Sequence, residues 1–251
     1  MAAELKGRRV VIVGGTSGFG FEVARMARDA GAQVVITGRD AQRRDAALAA
    51  LGAVDKAAGE VTTNAVSALA LDIADEAALT DFFAHIGPFD HLVSMAGGAM
   101  GGGFLEAPLE TIRQAVEEKF FANLRLARQA APHVREGGSL VFTAGSGGRP
   151  HNASGAIVGN DAIRTLVEGL AVELAPRARV NAVAPTWTRT PLWRAMPASD
   201  VDAIEQRFNA LIPLGRTAKV EEVAAAYLFL MSNDFVTGQT IAVDGGVTLV
   251  S

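Results

Sequence analysis

Short unbroken apolar runs alternate with segments whose apolar residues recur at helical spacing, from near the N-terminus to near the C-terminus. The runs are Val10–Val13, Gln33–Thr37, Val66–Leu71, His91–Met95, Ser139–Thr143, Val180–Ala184 and Thr240–Val243. Continuous apolar runs of this length predict strands buried on both faces. Between them the spacing predicts helices. One resumes at Phe21 (Val23, Ala24, Met26, Ala27, Ala30), and another occupies the Ala- and Arg-rich stretch 41–64, followed by a connection containing glycine and threonine. The others are Glu76–Ile86, Leu109–His133 (ended by Gly137-Gly138), Ser154–Ala175 (ended by Pro176), Ala198–Leu211 and Val220–Met231. Seven strands alternating with helices predict an α/β fold, a doubly wound parallel sheet with helices on both faces. No linker, composition shift or repeat divides residues 1–251, so a single domain is expected.

Composition adds exclusions. The 49% apolar content is enough for a large core, and the net charge of −4 comes with no basic cluster, which argues against nucleic acid as a partner. The absence of cysteine excludes disulfides and thiolate metal sites, and no metal is expected. The start, MAAELKGRR, has no apolar signal core. No run reaches the ~18 apolar residues of a membrane span. A soluble, cytoplasmic protein with a small-molecule substrate is the expectation.

The first run breaks into Gly14, Gly15, Gly18 and Gly20 before its helix, with Thr16, Ser17 and Phe19 between them. Strand, glycine turn and helix form the βα half of a nucleotide-binding unit. Glycines let backbone amides approach a pyrophosphate, and the helix N-terminus favours that anion. The plainer reading is a tight turn without a ligand. The second run ends in Gly38-Arg39-Asp40, where a doubly wound sheet places the adenosine ribose. Arg39 offers a planar cation to a 2′-phosphate, which selects NADP over NAD, although Asp40 beside it works against that preference. The alternative for Arg39 is a solvated loop residue. Asp72, followed by Ile73, can accept from an adenine amino group or cap the next helix. Ala96 and Gly97 let backbone lie against a ribose, and residues 97–103 suit a substrate-access loop or a plain linker.

The spacing Gly14-x-x-x-Gly18-x-Gly20 departs from G-x-G-x-x-G and resembles the short-chain dehydrogenase/reductase family. Asp72, Ala96-Gly97, Glu173-Leu174-Ala175-Pro176, Val180–Pro185, Thr237-Gly238-Gln239 and Asp244-Gly245-Gly246 extend the resemblance over nearly the full length. It implies a Rossmann-type fold, hydride transfer with NAD or NADP, and a homo-oligomer, a tetramer or dimer. It also implies that Thr190 after Pro185 holds the nicotinamide carboxamide, with Thr188 beside it. Met95 stands where the family has asparagine, and Thr186 where it has glycine.

The family's catalytic serine and Tyr-x-x-x-Lys pair are where this chain departs. Counting back from Glu173, the tyrosine position falls on Ala156 and the lysine position on Asn160. The only tyrosine, Tyr227, lies in an apolar helix and reads as core. Ser146, or the backbone of Gly145, falls near the family's serine; Ser146 could bind a substrate oxygen or cap its loop. Lys119 falls where the family usually has asparagine, so Lys119 and Asn160 read as a swapped pair in which the ammonium holds the ribose or orients a water. An ordinary solvated helix lysine is the alternative, since Glu117 and Glu118 precede it. His151, in the loop before the helix, reads as a substitute acid, against a plain surface histidine. Trp187, Leu192, Trp193 and Met196 read as a lid over an apolar pocket, or as packing residues.

Three functions remain open. The first is an atypical NADP-dependent oxidoreductase acting on a small carbonyl, alcohol or enone. The second is a non-redox dinucleotide-binding sensor or assembly subunit. The third is a lyase or isomerase that reuses the pocket.

Overall fold

Val10 and Ile12 face one side of the first strand, Val11 and Val13 the other, and packed helices cover both sides. That double burial is why the strand reads as an uninterrupted apolar run. In the computed structural model, which describes residues 5–52, 66–98 and 100–250, the strands are β1 (Arg9–Val13), β2 (Gln33–Gly38), β3 (Val66–Ala70), β4 (Phe89–Ser94), β5 (Val134–Thr143), β6 (Ala178–Pro185) and β7 (Thr240–Val243). They form one parallel sheet in the order β3-β2-β1-β4-β5-β6-β7. The chain winds outward from β1 to β3, then returns to place β4 on the other side of β1. That reversal is the switch point at which doubly wound sheets bind ligands beyond the strands' C-terminal ends.

The helices are α1 (Gly18–Asp29), α2 (Ala41–Gly52), α3 (Glu76–Ile86), α4 (Leu109–Val116), α5 (Ala122–Ala130), α6 (Ser154–Glu173), α7 (Ala198–Leu211), α8 (Val220–Ser232) and the short α9 (Val247–Val250). Helices α1, α2 and α8 cover one face through Val23, Ala24, Leu51, Val223 and Tyr227. Helices α3, α5 and α6 cover the other through Phe83, Leu126, Ile163 and Val167. Each fully buried valine or leucine contributes about 1.5–3 kcal/mol relative to exposure.

The seven strands and the alternation match the sequence expectation; three details differ. The expected single helix Leu109–His133 is interrupted by a π-helical turn, Glu117–Phe121, between α4 and α5, and it ends at Ala130. Gly137 and Gly138 do not end that helix. They lie inside β5, where the register against β4 shifts between Phe89 and His91. A Cβ on Gly138 would stand 2.3 Å from the Asp90 carbonyl oxygen, so the bulged strand needs glycine there. Asp75, not Asp72, caps α3, accepting from the Ala77 and Ala78 amides. Of the helix expected over 41–64, α2 covers 41–52, and the rest of it, with the start of the connection after it, falls outside the described residues.

Candidate active site

A cleft crosses the C-terminal edge of the sheet at the switch point, in two lobes of about 430 and 490 Å³. The lobes share Gly14, Ser17, Met95, Gly97, Gly98 and Leu192, so they form one continuous trough.

The glycine turn forms the trough's centre. Gly14 (φ +80°) and Gly18 (φ +56°) occupy the left-handed region. A Cβ on Gly20 would stand 2.3 Å from the Gly14 carbonyl oxygen, so the start of α1 packs directly on the turn. Ser17 caps none of the helix amides with its side chain, and the first turn carries no acid. An anion-binding terminus is thereby left to the trough.

The second lobe is lined by Thr16, Arg39, Asp72, Ile73 and Ala96. Arg39 is exposed at its rim. Asp40, which threatened the preference for a 2′-phosphate, is occupied: its carboxylate accepts from the Arg43 amide at 2.9 Å and the Arg43 guanidinium at 3.2 Å. Those bonds hold its pKa below the usual carboxylate range. Arg43 also lines this lobe, a second cation that the helical pattern gave no reason to single out. Asp72 accepts from the Ala74 amide at 3.0 Å, closing the turn ahead of α3.

The first lobe is lined by Phe19, Ser146, Asn160, Pro185, Thr188 and Thr190, with Lys119 in its wall. Among the described residues its lining includes no Asp or Glu. Trp187 lies between Trp193 and Phe208 in a stack, with ring centroids 5.8 Å apart on each side. Met100, Ile157 and Leu192 complete an apolar surface. Met196 is not among the lining residues. Thr188 donates inward to the Thr186 carbonyl at 3.1 Å, and the Thr190 hydroxyl oxygen accepts from the Leu192 amide at 3.3 Å.

Lys119 is buried, which removes the solvated-helix reading. The π turn places it, and two glycines make its room. A Cβ on Gly159 would meet its Cβ at 2.9 Å, and one on Gly97 would meet its Cδ at 2.3 Å. Its Nζ donates to the Ala96 carbonyl at 3.3 Å, and no carboxylate lies within ion-pair distance among the described residues. Burial pushes its pKa down to about 8. The π turn is braced by Asn123, which sequence reasoning missed. Its Nδ2 donates to the Lys119 carbonyl at 2.6 Å, and its Oδ1 accepts from Ser94 Oγ, also at 2.6 Å. Asn160 lines the same lobe, packed against Gly145, where a Cβ would stand 2.6 Å from Nδ2.

Other candidates fare less well. Ser146 lines the lobe, but its hydroxyl donates to the Ala184 carbonyl at 3.1 Å, which is the loop-bracing role. His151 lines neither lobe: its turn is exposed, and its backbone carbonyl packs against Gly103. Tyr227 is core, as expected. Its hydroxyl pairs with Thr143 Oγ1 at 2.7 Å, and burial raises its pKa above the usual phenol range. Thr143, whose hydroxyl also donates to the Ser94 carbonyl at 2.7 Å, lines the first lobe.

Residues 13–248 match the family model described as enoyl-(acyl carrier protein) reductase. The chain is 34% identical to the short-chain dehydrogenase/reductase fsr5 of Gibberella fujikuroi, over 98% of this chain and 97% of that protein. It is 32% identical to L-xylulose reductase of Bos taurus, over 98% of each. Among solved structures it resembles a small-chain dehydrogenase in complex with NADPH, with a TM-score of 0.80 and 31% identity, over 97% of this chain and all of that one.

Proposed function

The chain belongs to the short-chain dehydrogenase/reductase family, and from that premise we propose that it is an atypical NADP-dependent oxidoreductase acting on a small, mostly apolar carbonyl, alcohol or enone. The residues present fit the dinucleotide. Gly14, Gly18 and Gly20 line the trough with bare backbone, Gly14 and Gly18 at positive φ, and the uncapped start of α1 opens on it. Arg39 and Arg43 would take a 2′-phosphate, while Asp72 and Ile73 would meet the adenine. Ala96 and Gly97 would lie along a ribose, and Pro185, Thr188 and Thr190 would edge the nicotinamide. When bound, this cofactor supplies or accepts the hydride.

The observation that carries the catalytic reading is the burial of Lys119 in the wall of the first lobe, in the room left by Gly97 and Gly159. As an ammonium it would hold ribose hydroxyls or orient a water toward the substrate oxygen. Asn160 would sit in the lysine's usual place and Ala156 in the tyrosine's. Ser146 would brace the loop and present its remaining lone pairs. The Trp187–Trp193–Phe208 stack favours a substrate with an apolar body. Exposed Leu109, Phe121 and Val158 on the α4–α6 surface support a homo-oligomer, a dimer or tetramer. No helix among the described residues is long and apolar enough to cross a membrane, and a cytoplasmic location stays part of this reading.

Two observations favour the non-redox alternative: Ser146 is bonded to backbone, and Ala156 has no proton to give. A screen of carbonyls, alcohols and enones with NADPH or NADP, read by nicotinamide absorbance, separates the two. The proposal expects turnover that drops at least ~100-fold in Lys119→Ala, the scale of losing a positioned proton-transfer group. Tight NADPH binding without turnover would favour the sensor. Substrate conversion without an absorbance change would favour the lyase or isomerase.

A further inference from the structure

Arg194, in the lid segment between β6 and α7, donates from Nη2 to Ser17 Oγ at 3.2 Å, across to the glycine turn. The two residues are far apart in sequence, and the contact sets a guanidinium at the start of α1. Helix N-termini carry about half a positive charge, so a cation there is repelled unless an anion lies between. Among the described residues no carboxylate supplies that anion. Among the described residues Arg194 has no acidic partner within ion-pair distance, and α1 has no acid in its first turn. Arg189, five residues earlier, is by contrast committed to Asp202 and Glu205 of α7.

The rest of the lid holds Arg194 in place. The Trp193 indole donates to the Thr188 carbonyl at 3.0 Å, and Trp187 stacks on Phe208 of α7. Thr190 packs over Gly18, where a Cβ would find its side chain at 3.5 Å. The lid therefore lies on the anion-binding turn and is tied to α7 on its other side.

We propose that Arg194 is a pyrophosphate-binding residue carried by the lid, which exchanges its Ser17 hydrogen bond for the dinucleotide's diphosphate and so fastens the lid over the bound cofactor. This rests on the dinucleotide-binding reading above. A charge-assisted bond of that kind is the stronger class of hydrogen bond, and its loss corresponds to about a 10- to 100-fold fall in affinity.

The test is fluorescence titration of the full chain and of Arg194→Ala and Arg194→Lys, with NADPH and with adenosine 2′-monophosphate, which has no diphosphate. Arg194→Ala is expected to weaken NADPH about 10- to 100-fold and leave the monophosphate unchanged, with Arg194→Lys in between. Limited proteolysis supplies a second readout: NADPH is expected to protect the bond after Arg194 in the parent, and to protect the neighbouring bond after Arg189 less in Arg194→Ala than in the parent. Unchanged NADPH affinity in Arg194→Ala, or equal loss of both ligands, overturns the proposal. If the parent itself takes up no NADPH, the dinucleotide reading fails, and this inference with it.

Discussion

Lys119 lies across Gly97: a Cβ on that glycine would stand 2.3 Å from the lysine Cδ and 3.0 Å from its Nζ. Gly97 also holds φ at +112°, where a side chain is strained. The cofactor-side strand end and the buried ammonium are therefore built for each other. Gly97→Ala is expected to lose about 1–3 kcal/mol from strain and overpacking, and to lower turnover by displacing Lys119. Urea unfolding and steady-state rates check both. Parent-like stability would mean that the lysine does not need this clearance.

Lys119 sets a pH signature. Its pKa is about 8 in the fold against an ordinary 10.5, so the unfolded chain binds its proton more tightly. The cost of burying the charge is fully present below about pH 8 and is relieved as pH rises from about 8 toward 10.5. Lys119→Met is expected to be more stable than the parent at neutral pH, by on the order of 3 kcal/mol. That advantage should shrink over the same range. A pH-independent difference would contradict the buried charge. Turnover of the parent should fall above about pH 8, as the ammonium is lost.

His91 works in the other direction along the pH scale. It is buried in β4, with Nδ1 2.9 Å from Ser139 Oγ, and burial holds its pKa near 4. The fold keeps it neutral, so stability is fully present above pH 6.5 and is lost as pH falls from there toward 4. Thermal melts across that window should show the parent losing up to roughly 3 kcal/mol more than His91→Gln. Parallel curves would remove His91 as the cause.

Tyr227 is the only tyrosine, and, buried in α8 against Thr143, it takes no part in proton transfer. Tyr227→Phe removes its bond to Thr143, while Thr143 keeps the Ser94 carbonyl as a partner. The expected result is a stability loss of about 1 kcal/mol with turnover unchanged. A collapse in rate at parent-like stability would make this buried phenol catalytic after all.

The strands were legible because double burial writes itself as continuous apolar runs, as in Val10–Val13. The glycine turn was legible because Gly14, Gly18 and Gly20 have a spacing that only close backbone approach explains. Features that depend on two distant segments meeting were not. The π turn has no periodicity of its own, so residues 109–133 read as one helix. Lys119 read either as the swapped partner of Asn160 or as a solvated helix lysine, and the burial that decides between them depends on Gly97 and Gly159 from other elements. Asn123 and Arg194 acquire their roles from Ser94 and Ser17, contacts that a linear pattern does not carry. Gly137-Gly138 looked like a helix end because a bulged strand uses the same residue type.

Isothermal titration of the full chain with NADPH and NADH, repeated on Arg39→Ala, tests the central claim most directly. The account predicts NADPH bound more tightly than NADH, and a loss of ~10- to 100-fold in the variant confined to NADPH. Heats at the level of buffer dilution for both nucleotides, or equal losses for both in Arg39→Ala, would contradict it.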